Sequence, residues 1–429
     1  MRSLTEFSAQ ARRQIGQALA GGAWSARLDA ATQRNLRWFS VNGLFAQVTD
    51  SIALTYVALF VLSLGASSAE IGWMTALSSL SAALLLLPAG VLAERRDRRL
   101  FICLSLGGAA RFILLLLALA PLVFRGPALV AVAIGLVVVR EALANMPLPA
   151  WTALTADLVP LAWRGRYFGA RNFAMGLAGI VTTLAAGVLI AQWGGTLGYQ
   201  LALGVAALAG LFTILSFARL QPPASAAAEG AAVPAVRWRQ LLAPAPFWAF
   251  AGTAFLWNFA LNLAGPFFTV YVIEGLKGDA GAVGLLTATT ALSSLPGLRV
   301  FGALSDRWGP RRVQLLTGLL IPGLPFAWLL ATSPYHPALI NIAGGFLWAG
   351  FQLASFNLLL DITPEALRPR YTAIYQMVVM GALAAGAAAG GALITNWGYH
   401  AVFLLSGLGR IVAMLLFARY VRVPSPPAG

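Results

Sequence analysis

Asp157-Leu-Val-Pro160-Leu-Ala-Trp-Arg164-Gly-Arg166-Tyr167 returns 204 residues later as Asp361-Ile-Thr-Pro364-Glu-Ala-Leu-Arg368-Pro-Arg370-Tyr371. Five identities at fixed spacing, D-x-x-P-x-x-x-R-x-R-Y, mark the chain as a duplication. Each copy is a charged island in an apolar surrounding. Of the 429 residues, 59% are hydrophobic and 10% charged, where a soluble domain carries about 25% charged residues. A soluble helical protein of this composition would have almost nothing polar to show to water. Long apolar runs separated by short arginine-rich loops predict membrane-spanning helices. A duplicated charged loop between such helices predicts a membrane machine with two similar halves, which for most such proteins means a transporter.

The expected fold class is an all-α integral membrane protein with twelve transmembrane helices. The predicted spans are roughly 37–63, 70–92, 100–123, 128–153, 166–192, 197–218, 246–274, 282–303, 311–331, 338–360, 370–395 and 399–420. Each has about 20 residues or more, enough to cross a hydrocarbon layer about 30 Å thick. Between the sixth and seventh lies QPPASAAAEGAAVPAVRWRQ, an Ala/Pro-rich stretch with no apolar run of spanning length, read as a flexible linker. The predicted organisation is an N-terminal arm over 1–35, a six-helix bundle over 36–219, a linker over 220–245, a second bundle over 246–422 and a tail over 423–429. Gly90, Glu94 and Arg95 match Gly302, Asp306 and Arg307 at an offset of 212, as Gly72 matches Gly284, while Trp193-Gly194 matches Trp397-Gly398 at 204. Both copies run in the same direction, which makes this a parallel repeat about an axis along the membrane normal.

The net charge of +15 invites nucleic acid as a partner, but its distribution argues otherwise. All but six of the 29 basic residues fall in the arm, the tail and the loops on one side. The positive-inside rule then predicts both termini in the cytoplasm and no nucleic acid. The arm reads equally as a mobile tail or as a segment resting on anionic headgroups. One cysteine, Cys103, precludes an internal disulfide. The first apolar stretch begins near Leu36 and is long enough to span, so no cleaved leader is expected. No nucleophile, metal-ligand cluster or phosphate loop stands out; neither a cofactor, a metal nor enzymatic activity is expected.

Gly302-Ala-Leu-Ser-Asp306-Arg307-Trp-Gly309-Pro-Arg311-Arg312 resembles the loop signature G-x-x-x-D-R-x-G-R-R of the major facilitator superfamily. The first-half copy departs from it, with Glu94 for the aspartate and Asp97 where a glycine is usual. The D-x-x-P-x-x-x-R-x-R stretches resemble the family's loops after its fourth and tenth helices. The resemblance runs from about Leu36 to Arg422. It implies two pseudo-symmetric six-helix bundles that rock about a midplane site lined by the first, fourth, seventh and tenth helices. It also implies that the loop residues Gly90, Glu94, Arg95, Asp157, Arg164, Arg166, Gly302, Asp306, Arg307, Asp361, Arg368 and Arg370 serve gating. Crossed pairs, Arg95 with Asp157 and Arg307 with Asp361, would close the cytoplasmic side. The fifth helix lacks the proline of the drug-antiporter motif, so no subfamily is assigned.

Charge inside a membrane costs at least ~2.5–3.5 kcal/mol per residue and needs a reason. Asp50 lies about 13 residues into the first span, roughly 20 Å from its cytoplasmic end at ~1.5 Å per residue. Its repeat partner is Asn262, and the two are expected to face each other across the cavity. Arg140 and Glu141 are neighbours on the fourth helix and must point about 100° apart. Their repeat equivalents are Gly344 and Gly345. Arg140 is expected to point toward Asp50, and Glu141 to turn toward Arg111 in a structural ion pair. Arg410, on the twelfth helix, reads as a brace or a snorkelling residue. Asn258, Gln352 and Gln376, with Trp257, Tyr271, Trp348 and Phe351, are candidates for an amphipathic wall. Glycines crowd the fifth and eleventh helices, where they permit either static packing or sliding.

The reading is a secondary transporter in a bacterial cytoplasmic membrane, expected as a monomer, moving a small organic solute by alternating access with protons as the coupling partner and export as the direction. Uptake or facilitated diffusion of a polar or anionic metabolite is the nearest alternative. A non-transporting assembly factor or receptor is the alternative from another class.

Overall fold

The computed structural model describes residue 14 and residues 16–93, 98–160, 163–221, 245–363 and 368–421. Glu94, Arg95 and Pro364 lie outside these residues, as do the side chains of Asp157 and Arg368. No strand occurs among the described residues. The helices are α1 (Ala30–Ser63), α2 (Ser68–Ala93), α3 (Arg99–Val123), α4 (Gly126–Asn145), α5 (Leu148–Leu158), α6 (Arg164–Trp193) and α7 (Gly195–Phe217) in the first half. The second half has α8 (Ala245–Ala264), α9 (Phe267–Glu274), α10 (Ala280–Trp308), α11 (Pro310–Leu320), α12 (Gly323–Trp328), α13 (His336–Ile362) and α14 (Arg368–Tyr420).

Nine of the described helical stretches are long and apolar enough on their own to cross a membrane, with α4–α5 and α8–α9 each part of one such stretch. α14 contains two helices joined at a single residue, Gly398, with φ 75° and ψ 175°. Gly194 makes the same junction between α6 and α7, with φ 60°. Both need the left-handed backbone that glycine adopts without a Cβ penalty. With α14 taken as two crossings, and α2 and the interrupted pair α11–α12 added, the helices are consistent with twelve crossings in two sets of six. The interruptions fall at Pro147, Pro266 and Pro322, each just ahead of the following helix. A proline there removes a backbone donor and ends the preceding hydrogen-bond ladder.

Helix ends are closed by local chemistry. Asp29 caps α1 by accepting from the Thr32 amide at 2.8 Å, and Asp279 caps α10 by accepting from Ala282 N at 2.8 Å. Ser67 and Glu70 form a reciprocal capping box at the start of α2, with Ser67 N donating to Glu70 Oε2 at 2.8 Å and Glu70 N to Ser67 Oγ at 3.3 Å. Arg311, from the signature loop, donates to Val421 O and Ala418 O at 2.7 and 2.8 Å, pinning the start of α11 to the C-terminal carbonyls of α14.

The core is divided unevenly between the two faces. Toward the arginine-poor face one apolar cluster runs through both halves, taking in Tyr56, Phe60 and Ile71 with Phe267, Leu286 and Phe403. Toward the arginine-rich face each half has a core of its own, around Phe39, Leu158 and Tyr167 in the first and around Phe247, Leu358 and Tyr371 in the second. Among the described residues, the core is therefore continuous between the halves toward the arginine-poor face and divided between them toward the other. Arg307 and Asp361 are both exposed, and the crossed pair expected between them is not formed, although the helices that carry them, α10 and α13, pack together through Phe301, Phe346 and Ala354.

Two glycine contacts make the closed face. A Cβ on Gly72 would sit 2.7 Å from Ala387 O and 3.0 Å from Gly391 Cα. One on Gly187 would sit 2.9 Å from Ala280 O and 3.3 Å from Gly281 Cα, with Gly284 close beside it. Gly72 and Gly284 are repeat equivalents, and so are Gly187 and Gly391. Gly386 and Gly390 instead pack on α8 within their own half, and nothing lies within 4 Å of a Cβ on Gly169, Gly176 or Gly381. The crowded glycines thus divide between static packing and the seam between the halves.

The motif tyrosines are anchors. Tyr167 is fully buried, donates to Leu36 O at 2.7 Å and meets Ser40 Oγ at 2.9 Å. The described end of the arm, with Ala20 buried, packs on this loop, where Trp24 stacks on Trp163 at 4.9 Å and Arg166 lies over the Trp163 ring at 5.2 Å.

Candidate functional site

Steps of four residues put Asn42, Ala46, Asp50 and Leu54 on one face of α1. The lower three line a cavity of about 380 Å³ within the first half, shared with Arg111 of α3, Trp151 of α5 and Arg171 of α6. Leu54 instead lines a second cavity, of about 520 Å³, between the halves. Glu141 and Asn145 of α4 face this second cavity, opposite Asn262 of α8, Thr269 of α9 and Met380 of α14. A third cavity, about 830 Å³, lies in the second half among α8, α10, α12, α13 and α14 and takes in Asn262, Gln352 and Arg410. Asn262 is common to the second and third, held by donating to Leu383 O at 2.8 Å.

Arg140 sits between the first two cavities. It is 9% exposed, and its Nη2 stands 3.7 Å from Asp50 Oδ1. Its Nη1 is bonded to the Glu141 carboxylate, and its Nε has no partner. The Asp50 side chain is 57% exposed and that of Glu141 33%, so one buried guanidinium is shared by two accessible carboxylates. The expected Arg111–Glu141 pair is not formed. Arg111 donates through Nη1 to Gly107 O at 3.0 Å and lies along Gly210 of α7, where a Cβ would sit 2.9 Å from its own Cβ. The expected opposition of Asp50 and Asn262 is also corrected: Glu141 shares the cavity with Asn262, while Asp50 faces Arg111 and Arg171.

The other sequence candidates divide. Gln352 and Trp348 line the large cavity. Asn258 donates to Ala254 O at 2.8 Å in its own helix and belongs to a small separate pocket with Trp257 and Tyr375. Trp257 is buried, stacked on Phe351 at 4.5 Å, and Tyr271 packs with Tyr399 and Phe403 toward the arginine-poor face. Arg171, counted by sequence among the loop arginines, is 7% exposed, donates to Phe39 O at 3.3 Å and lies 4.3 Å from the Phe39 ring centre. Its position four residues past the motif tyrosine, inside the span, is the signal that could have found it. Phe268 and Trp328 line the large cavity and carry no distinguishing mark in the sequence.

Two helical bundles that meet at one face, with cavities lined by charged and polar side chains within and between them, have the architecture of a membrane carrier. The Major Facilitator Superfamily family model matches residues 39–281 and again 259–429, and the chain belongs to that superfamily of membrane transporters. It is 29% identical over 227 residues to the "Putative sugar efflux transporter" of Deinococcus radiodurans, over 49% of this chain and 54% of that protein. The match thus spans about half of that relative's length. It is 26% identical over 400 residues to the multi-drug resistance efflux pump PmrA of Streptococcus pneumoniae, over 87% of this chain and 92% of that one. Among solved structures, a single-site mutant of the nucleoside transporter NupG superposes with a TM-score of 0.74 at 13% identity, over 90% of this chain and 99% of that one. A bacterial homologue of the human lysosomal transporter Spinster, inward-facing and unoccupied, gives 0.71 at 14% identity, over 94% of this chain and 100% of that one. At such identities these structures speak for the fold alone.

Proposed function

We propose that this transporter is a secondary carrier that exports a small amphipathic organic solute in exchange for protons, as a monomer in a bacterial cytoplasmic membrane with both termini cytoplasmic. The observation that carries the reading is the sharing of Arg140 between Asp50 and Glu141, whose carboxylates open on different cavities. A proton on Asp50 frees the guanidinium for Glu141; a proton on Glu141 frees it for Asp50. Protonation thereby becomes a change in whether Arg140 ties α4 to α1 through Asp50 or turns to Glu141 on its own helix, the kind of differential contact an alternating carrier needs. Export is supported by the two relatives named for efflux. The signature and motif loops fall to the gating of the arginine-rich face.

The arginines lining the cavities support one rival, uptake or facilitated diffusion of an anionic metabolite. Proteoliposomes separate the readings. With an imposed pH gradient, wild-type protein is expected to drive solute uphill against the proton flow. Asp50→Asn is expected to abolish uphill movement while keeping solute exchange at equal pH. Full proton-driven movement by Asp50→Asn sinks the coupling role. Movement unaffected by the gradient in wild type favours the rival, and no flux at all favours a scaffold.

A further inference from the structure

The second half holds a buried guanidinium with no counter-charge among the described residues around it. Arg410 is 2% exposed and lines the 830 Å³ cavity. Its Nη2 donates to Ser406 Oγ at 3.0 Å, and Ser406 in turn donates to Ala260 O at 2.6 Å. Its Nε has no partner. No carboxylate is among the residues described as lining the cavity. The described acidic residues of this half, Glu274, Asp279, Asp306 and Asp361, all lie at helix ends. A buried guanidinium using so little of its five-donor fork is costly to keep. Such a cost is retained where an anion arrives from outside to meet it.

The repeat loses its symmetry here. The positions equivalent to Arg140 and Glu141 are Gly344 and Gly345, and both line this cavity. The charged pair of the first half has no counterpart on this helix, where the Thr290 backbone of α10 stands in the place a Cβ on Gly345 would take, and the cation of this cavity comes from a different helix. The remaining lining is mixed, with Asn341 and Gln352 beside Trp328 and Trp348. A volume of about 830 Å³ is far more than a halide or phosphate ion fills and lies in the range of small-molecule sites, ~300–1,000 Å³.

We propose that Arg410 is the anion-binding group of a solute subsite in the second half. It takes the carboxylate of an amphipathic aromatic solute, whose apolar body lies against Trp328 and Trp348. A guanidinium fork matches a carboxylate in two parallel hydrogen bonds, which an ammonium cannot reproduce. The assignment deepens the carrier reading and rests on it, but it is tested by binding rather than flux. Failure here leaves the proton-driven movement and its dependence on Asp50 as they are.

The test uses the full chain purified in detergent, with a panel of phenylacetate, cinnamate and salicylate, their amides, and chloride and phosphate. At least one carboxylate is expected to raise the Tm of wild type saturably, its amide is not, and Arg410→Gln is expected to abolish the rise. Arg410→Lys is expected to bind at least tenfold more weakly. Unliganded Arg410→Met is expected to melt no lower than wild type, because it removes an uncompensated charge. The proposal is overturned if no carboxylate outperforms its amide, or if Arg410→Gln binds as wild type does. It is equally overturned if chloride or phosphate alone saturates the site, or if unliganded Arg410→Met melts several degrees lower, which makes Arg410 a brace.

Discussion

Replacing Gly72 by alanine tests how the arginine-poor face closes. The added Cβ would lie 2.7 Å from Ala387 O and 3.0 Å from Gly391 Cα, about 0.7 Å short of ordinary contact with the first. Both obstacles are backbone atoms of α14, so no side chain can turn aside and the two helices must part. Overpacking of this kind costs ~1–3 kcal/mol, and the cost falls only on the state in which this face is shut. In a two-state carrier that penalty multiplies the population of the opposite state by about 5–150. Spin labels placed through Arg125→Cys and Tyr335→Cys, in a Cys103→Ser background, report the separation across this face by pulsed double resonance. Gly72→Ala is expected to move weight from the short to the long distance, and Gly72→Ala with Gly284→Ala to move it further. Gly176→Ala, which meets nothing within 4 Å, is the silent control. An unchanged distribution in the double variant would refute the idea that these glycines permit closure.

Arg140→Gln leaves Asp50 and Glu141 without their shared cation. Breaking a buried pair costs ~3–5 kcal/mol, but with the Asp50 side chain 57% and that of Glu141 33% exposed, screening lowers the expectation to about 1–2 kcal/mol. Adding Glu141→Gln should restore part of this in thermal melts, and strict additivity of the two changes would show that the groups are uncoupled. Arg311→Ala removes two charge-assisted hydrogen bonds to the end of α14, worth about 1–2 kcal/mol locally. Faster hydrogen exchange over residues 417–421 is expected, with the rest of α14 unchanged.

The duplication, the helical membrane class and the family were legible because they rest on spacing and composition, which survive without coordinates. Facing was not. The 100° step between Arg140 and Glu141 says that they diverge, but the rotation of α4 decides which one meets the inter-half cavity. That rotation is set by packing against α2 and α3 and by the break at Pro147. Repeat arithmetic paired Asp50 with Asn262, yet symmetry of position is not symmetry of contact when one helix is continuous and its partner is interrupted at Pro266. Arg410 reads from sequence as a brace or a snorkelling residue because nothing in its own segment points to a cavity. The packing of α8, α10, α12 and α13 around a common cavity brings it there, a relation between distant positions that no single segment displays. The crossed pair of Arg307 and Asp361 failed for a different reason: α10 and α13 pack together, but both of these side chains lie at the exposed surface.

Gly398 joins the last two crossings through one residue. Gly391, which meets Gly72 at the seam, stands seven residues before that turn, and Arg410 stands twelve residues after it. A loop of ordinary length would absorb a small shift on one side as slack. A single residue with no spare backbone cannot, so the two arms of α14 displace together as a lever. A solute that draws on Arg410 is therefore expected to load Gly391, and with it the seam.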